Sequence, residues 1–292
     1  MGRGPLVARW TAMQTAAIYV LPIYPSPPRD AASTKAAAGG TSGGGASGRL
    51  DDSAGHPLQL FALWLVKGCM FGIVVAVLST GVGGLARDTL QALGMYCFVS
   101  LLMDGPASLV MPLLGINVIP TFDPPWLSTS LADFWGRRWN ITTSHLLRAV
   151  VFDPIAEGTW VKAVPAPKGA TGKRPPRSAT LRALGVCATF LVSGVVHEAI
   201  FWAMQPDGTV TWKWLVYFTI QGQLMLAEDV VVKRAIAAGW TLHPWVSRVL
   251  TVSFLLLVAH WGFFAPCNED TDVAARVVAA CQRKYDGLIS RS

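Results

Sequence analysis

The residue of this sequence best suited to chemistry is His197, which lies in an otherwise apolar run at 190–202. Imidazole can take up a proton near neutral pH, as a base must when a hydroxyl attacks a carbonyl. An ionisable side chain in such a run is costly unless it faces a polar cavity, so it marks a candidate functional site. A histidine that only forms a hydrogen bond between helices fits this run equally well.

The neighbouring Glu198 allows one class of chemistry to be tested and excluded. A zinc metalloprotease motif of the form HExxH needs a second histidine four residues after His197, but Phe201 stands there. On a helix, Glu198 would project about 100° away from His197, so we do not expect it to be the base. We interpret it as a packing or orienting residue.

A second group of chemically useful residues follows the sequence SLADFWGRRWN at 130–140. Arg137 and Arg138 carry planar, fork-shaped donors that suit phosphate groups. Asn140 can both donate and accept hydrogen bonds. Anchoring of the two arginines to anionic lipid headgroups is the alternative, and the residues alone favour it slightly.

Two further ionisable residues lie in or near apolar runs, and we expect structural roles for both. His260 is surrounded by apolar and aromatic residues, where a histidine most often serves packing. Glu228 is expected to pair with Lys233.

The composition is typical of a membrane protein. Of the 292 residues, 52% are hydrophobic and 14% are charged, whereas soluble domains carry about 25% charged residues. A helix needs about 20 mostly apolar residues to cross a bilayer, and five stretches qualify: 58–78, 90–114, 184–204, 214–232 and 249–264. We therefore expect an all-α, polytopic transmembrane helical bundle of about five spans plus interfacial helices. A large soluble core is the disfavoured alternative.

The distribution of charge predicts the orientation of these spans. The net charge is +7, and Lys and Arg concentrate at 133–182 and 233–248. The positive-inside rule places the N-terminus and both loops in the cytosol, and the tail after Pro266 on the far side. We do not expect a nucleic-acid partner, because no basic and aromatic binding motif accompanies the charge.

The chain divides into four segments by composition. Residues 1–25 are an interfacial or partial apolar segment, and residues 26–56 are an Ala/Gly/Ser-rich linker that cannot bury a core. Residues 57–266 form the membrane-embedded domain, and residues 267–292 form a C-terminal tail. A second low-complexity loop interrupts the domain at 163–177.

Two motifs carry a resemblance to a known family. LADFWGRRWN at 131–140 resembles a signature of plant wax synthases and related sterol acyltransferases of the membrane-bound O-acyltransferase family. VSGVVHE at 192–198 resembles their second signature, in the same order and after a basic loop. The resemblance covers about 58–266. It implies transfer of a fatty acyl group from acyl-CoA to the hydroxyl of a long-chain alcohol, giving a wax ester, or of a sterol.

The resemblance also implies roles for individual residues. His197 corresponds to the catalytic histidine and Asn140 to the polar residue of the first motif. We expect the substrate contacts at Asp133, Trp135, Arg137, Arg138 and Glu198. No metal or resident cofactor is expected, since acyl-CoA is a co-substrate. The expected partners are acyl-CoA, a lipid alcohol or sterol and membrane lipids, with an oligomer left open, and the endoplasmic reticulum is the expected membrane.

The sequence departs from that family at its N-terminal side. Family members usually have further spans there, whereas this chain soon enters the linker at 26–56. We therefore expect either a truncated sequence or a catalytically inactive copy as an alternative to an active enzyme. A transporter using the same intramembrane polar groups is the alternative from another class.

Overall fold

The structure is a computed structural model, and it describes residues 11, 24–25, 57–115, 118–158, 178–205, 208–271, 275–277, 279–281 and 283. The linker at 26–56 and the loop at 163–177 lie outside the described residues. So do most of the segment 1–25 and most of the tail after residue 271.

Five long apolar helices dominate the described part of the chain. They are α1 (Pro57–Leu78), α2 (Gly84–Leu114), α6 (Ala179–Met204), α7 (Lys213–Ala237) and α8 (Pro244–Ala259), and α8 continues through π-helical turns at His260–Phe264 and Cys267–Thr271. Each is long and apolar enough to cross a membrane. The predicted all-α, polytopic membrane fold is confirmed, and every predicted span falls within one of these helices.

The outward faces of these helices are apolar, as contact with lipid requires. Ile73 of α1 is 63% exposed and Val231 of α7 is 64% exposed. A soluble protein rarely exposes apolar surface on this scale. The described helices also satisfy their own backbone groups internally, which is the condition for crossing hydrocarbon.

The chain forms two compact units, of which the first comprises Met1–Thr80 and Leu90–Asp123. Within it, the two charges of the first two predicted spans meet: Lys67 Nζ lies 3.0 Å from Asp104 Oδ2. Trp64 Nε1 donates to the carbonyl of Leu101 at 3.0 Å. A short antiparallel pair also belongs to this unit, with β1 at Tyr24–Pro25 and β2 at Val118–Ile119.

The second unit comprises Gly81–Thr89 and Pro124–Ser292. Its centre is the antiparallel pair of α6 and α7, which approach closely at two glycines. A Cβ on Gly194 would lie 2.9 Å from the carbonyl oxygen of Leu215, and one on Gly222 would lie 3.1 Å from the ring of Phe190. Larger residues at either glycine would separate the two helices.

Buried Asp88 ties the first turns of α2 to the end of α8 within the second unit. Its Oδ2 pairs with Nδ1 of His260, and its Oδ1 accepts from Nδ2 of Asn268 at 3.3 Å. Asp88 is almost fully buried, and a buried carboxylate needs such partners. The pair with Asp88 agrees with the structural role that we expected for His260.

Three short helices connect α2 to α6 and carry the first motif. They are α3 (Leu131–Asp133), α4 (Ile141–Leu147) and α5 (Asp153–Glu157), separated by π-helical turns at Phe134–Arg138 and Arg148–Phe152. A 3-10 turn at Pro125–Leu127 precedes them. These elements position the polar residues of the site.

Candidate active site

His197 lies on α6 with its tautomer set by the backbone. Its Nδ1 lies 2.7 Å from the carbonyl oxygen of Ser193, one turn earlier. A carbonyl can only accept, so Nδ1 carries the hydrogen and Nε2 keeps the lone pair. The hydroxyl of Ser193 lies 3.4 Å from the same nitrogen. The imidazole is thus arranged to accept a proton through Nε2.

Aromatic side chains of α7 fix the plane of this imidazole. The ring of Phe218 stacks on His197 with centroids 3.7 Å apart and planes 23° apart. Trp214 meets the same imidazole edge-on at 6.2 Å. Phe218 and Trp214 are themselves buried, so they hold the half-buried histidine against rotation.

Trp135 brings the first motif to the same phenylalanine. Its ring centroid lies 6.0 Å from that of Phe218 and 5.8 Å from that of Phe190. Its Nε1 donates to Oε1 of Gln221 at 3.3 Å. The two motifs, far apart in sequence, therefore converge on Phe218, with His197 on one side and Trp135 on another.

Asp133 organises the first motif through donors on three residues. Its Oδ2 accepts from the backbone N–H of Thr129 at 3.1 Å and from Nε of Arg138 at 2.9 Å. Its Oδ1 pairs with Nη2 of Arg137 at 2.8 Å. Burial favours the neutral acid, but the hydrogen bonds from Arg138 and Thr129 and the charge of Arg137 outweigh it and lower the pKa of Asp133.

Arg137 and Arg138 are adjacent in the sequence but lie in different surroundings. The Arg138 side chain is 10% exposed, and its Nη1 also donates to the carbonyl of Pro124 at 3.4 Å. The Arg137 side chain is 56% exposed. Arg137 is therefore open to a phosphate group, whereas Arg138 has a structural position and its substrate contact stays only a prediction.

Asn140 begins α4 from a left-handed conformation. Its φ is +42°, which asparagine tolerates better than most residues. Its Oδ1 accepts from the backbone N–H of Thr143 at 3.3 Å, the bond that caps a helix N-terminus. Among the described residues no hydrogen bond joins Asn140 to His197, and the Ser193 carbonyl orients the imidazole instead. The catalytic role of Asn140 stays a prediction.

Glu198 caps the N-terminus of α7. Its Oε1 accepts from the N–H groups of Thr211 at 3.0 Å and Trp212 at 2.6 Å, and its Oε2 accepts from those of Trp214 and Leu215 at 3.1 Å. First-turn N–H groups lack partners within the helix and favour an anionic acceptor. This agrees with the predicted orienting role and does not favour the predicted substrate contact.

The predicted pair of Glu228 with Lys233 is wrong. Oε2 of Glu228 accepts from the backbone N–H of Leu131 at 2.8 Å, while Lys233 pairs with Asp229 at 2.6 Å. The N–H of Leu131 opens α3 and has no partner within that helix, so a carboxylate beside it is the better-matched acceptor. Glu228 thus fastens the first motif to α7.

The first motif follows α7 over a considerable length. Leu131 meets α7 at Glu228 and Trp135 meets it at Gln221, and those two contacts are about 10 Å apart along the helix axis. The structure therefore lays this segment along α7.

The region that holds this arrangement is similar to known proteins. Residues 118–220 match the model of the membrane bound O-acyl transferase family. The central region of this chain is therefore similar to that family. The matched region contains both motifs, with Asn140 and His197, and most of the aromatic contacts around Phe218.

Curated relatives extend the match beyond this region. The chain is 29% identical over 220 residues to "Probable long-chain-alcohol O-fatty-acyltransferase 8" of Arabidopsis thaliana, covering 75% of this chain and 60% of that protein. It is 33% identical over 184 residues to "Acyl-CoA--sterol O-acyltransferase 1" of the same plant, covering 62% of this chain and 48% of that protein. The chain spans about half the length of the curated relatives it matches.

Sequence reasoning missed three residues of the site: Ser193, Phe218 and Gln221. Phe218 carries no signal, because it is one apolar residue among many in its span. Gln221 does carry one, since a polar side chain within an apolar span is a functional candidate.

Proposed function

We propose that this chain is an O-acyltransferase that moves a fatty acyl group from acyl-CoA to the hydroxyl of a long-chain alcohol or a sterol. The printed names of the relatives support both acceptor classes. The observation that carries the proposal is His197: within the family-matched region, its Nδ1 is committed to the Ser193 carbonyl and its Nε2 is left to act as a base.

The proposed reaction follows from this geometry. Nε2 of His197 takes the proton of the acceptor hydroxyl while the hydroxyl oxygen forms a bond to the thioester carbonyl carbon. The bond between that carbon and sulfur then breaks, and the leaving CoA thiolate takes the proton back from the imidazolium. The transfer is redox-neutral and needs no resident cofactor, so acyl-CoA enters only as a co-substrate.

The surroundings of the site suit these substrates. Acyl-CoA carries phosphate groups, and Arg137 offers an exposed guanidinium on the motif that reaches the site. The acyl chain and the lipid acceptor are apolar and can partition into the bilayer that surrounds the spans. We propose the endoplasmic reticulum as the membrane, with the cytosolic face supplying acyl-CoA.

The proposal is tested by expressing the chain in a yeast strain deficient in neutral lipids and identifying new esters by mass spectrometry. We expect wax esters or sterol esters with the unchanged chain. His197→Ala should reduce their formation by about 10²–10⁴-fold, the usual cost of losing a general base, at a similar membrane level. His243→Ser is the matched control, because His243 is an exposed cap that serine can replace.

Two outcomes would contradict the proposal. No ester from a well-expressed, unchanged chain would refute the activity itself. Near-normal ester formation by His197→Ala would refute His197 as the base. The identity of the ester then separates a fatty alcohol acceptor from a sterol acceptor.

A further inference from the structure

Gln221 presents an unused hydrogen-bond donor beside the candidate active site. Its side chain is fully buried in α7. The amide oxygen Oε1 accepts from Nε1 of Trp135, but the amide nitrogen Nε2 is buried and has no hydrogen-bond partner among the described residues. Buried donors are nearly always paired in folded proteins, so an unpaired one needs an explanation.

Phe218 lies between the unpaired amide and His197 along the chain of contacts. Gln221 follows Phe218 by three residues on α7, and residues with this spacing lie on the same helix face. Phe218 also stacks on the imidazole of His197 and contacts the ring of Trp135. The amide of Gln221 and the imidazole of His197 therefore flank one phenylalanine.

Trp135 also fixes the orientation of this amide. An indole N–H can only donate, so the atom of Gln221 that faces it must be the acceptor Oε1. The NH₂ group then faces away from Trp135, within the buried side chain. A donor with this orientation is preorganised before any substrate arrives.

We propose that Gln221 is a substrate-binding residue whose Nε2 donates a hydrogen bond to the thioester carbonyl oxygen of the bound acyl-CoA. This inference rests on the proposed acyl transfer. As the acceptor oxygen bonds to the carbonyl carbon and His197 takes the hydroxyl proton, the electron pair of the carbonyl moves onto its oxygen. That pair returns when the carbon–sulfur bond breaks and CoA leaves as the thiolate.

The energetic reason is the developing negative charge on the carbonyl oxygen. A fixed donor in a site that excludes water stabilises such charge without reorganising, and loss of one such donor typically slows turnover about 10²–10³-fold. The same hydrogen bond would satisfy Nε2, which the protein alone leaves unpaired. Gln221 would thus act on the carbonyl while His197 acts on the hydroxyl.

A purely structural role makes a different prediction. If Gln221 served only to hold Trp135, then Trp135→Phe and Gln221→Met should have similar effects on activity and on thermal stability. Under our proposal, Gln221→Met should lower kcat/KM about 100-fold or more, and Trp135→Phe should lower it much less. Gln223→Met on the exposed face of α7 is the matched control and should keep normal kinetics.

The decisive experiment measures binding rather than turnover. Two CoA analogues are compared: a ketone in which methylene replaces the thioester sulfur, and a thioether that lacks the carbonyl. The unchanged chain and Gln223→Met should bind the ketone about tenfold more tightly than the thioether, as expected for one additional hydrogen bond. Gln221→Met should bind the two analogues equally.

A second variant keeps the binding test possible if Gln221→Met does not fold. Gln221→Leu also removes the NH₂ group and brings no other donor, so it should lose the preference for the ketone as well. An undiminished preference in folded Gln221→Met or Gln221→Leu would overturn the role of Gln221. Because this binding ratio needs no turnover, it stands apart from the ester assay, whose failure would refute the proposed function instead.

Discussion

Arg137 and Arg138 share one carboxylate but differ in exposure, so we expect their replacement to have different effects. Arg137→Gln removes an exposed guanidinium that can bind phosphate, so KM for acyl-CoA should rise, by about tenfold for each 1.4 kcal/mol of binding lost. Arg138→Gln removes the buried partner of Asp133 and leaves a buried charge without its main counterion, so it should mainly lower thermal stability.

Steady-state kinetics and thermal melting of the solubilised protein separate these two effects. Arg137→Lys is the informative control, because it keeps the charge but loses the two-point geometry that suits phosphate. An unchanged KM for acyl-CoA in both Arg137 variants would mean that this arginine only anchors the segment to lipid headgroups.

The lowered pKa of Asp133 predicts how stability responds to acid. A carboxyl group with a lower pKa in the folded chain stabilises it above the unfolded pKa, about 3.9. That contribution is lost as the pH falls through the folded pKa. Asp133→Asn should therefore be less stable than the unchanged chain at pH 6, and the difference should shrink towards pH 3.

Melting temperatures measured across that pH range test this prediction. Asp229→Asn is the comparison, since Asp229 forms an exposed pair with Lys233, and exposed pairs contribute little to stability. A stability difference for Asp133→Asn that does not change with pH would argue against a titrating Asp133.

Single residues were predictable where one side chain contrasted with its surroundings. His197 stands out as an imidazole in an apolar run, and the position of that run on α6 was confirmed. The contrast could not reveal that the Ser193 carbonyl orients the ring, because a backbone acceptor leaves no trace in the residue types. Nor could it separate Arg137 from Arg138, whose exposure depends on Pro124 and on the fold around it.

At the scale of the elements, the turn from α6 to α7 depends on Glu198. Its carboxylate accepts four backbone N–H groups at the start of α7. Glu198→Ala should cost at least about 1–2 kcal/mol of stability, the typical value of a helix N-cap. Glu198→Gln keeps one acceptor oxygen and should be intermediate.

Thermal melting and kinetics measured on the same samples decide whether Glu198 is more than a cap. A capping role predicts that activity per folded molecule stays near normal in Glu198→Gln. A large loss of kcat/KM at unchanged melting temperature would instead support the substrate contact that the sequence suggested. Glu269→Gln serves as an exposed control on the same unit.

The long helices followed from the sequence, but the path of the first motif did not. Runs of about 20 apolar residues have few alternatives in a chain with so little charge, so each predicted span was found. The contact of Leu131 with Glu228 joins residues 97 positions apart. Local composition around Leu131 could not reveal this contact, because it identifies neither the partner helix nor the residue on that helix.

For the whole molecule, the number of spans and the placement of charge together predict the topology. Five apolar helices make this an integral, multi-pass membrane protein. The basic segments at 133–182 and 233–248 alternate with loops that carry little positive charge. This alternation requires every long helix of the second unit to cross the bilayer completely.

Accessibility of single cysteines at the two ends of α7 tests that requirement. In a background without native cysteines, Thr241→Cys lies in the exposed turn after α7, and Val210→Cys lies in the exposed link before it. The positive-inside rule predicts that Thr241→Cys is labelled from the cytosolic side, and that Val210→Cys is protected until the membrane is permeabilised.

Reversed labelling would show the opposite topology, in which the exposed Arg137 faces away from cytosolic acyl-CoA. Labelling of both positions from one side would mean that α7 enters and leaves the same face, which its 25 residues argue against.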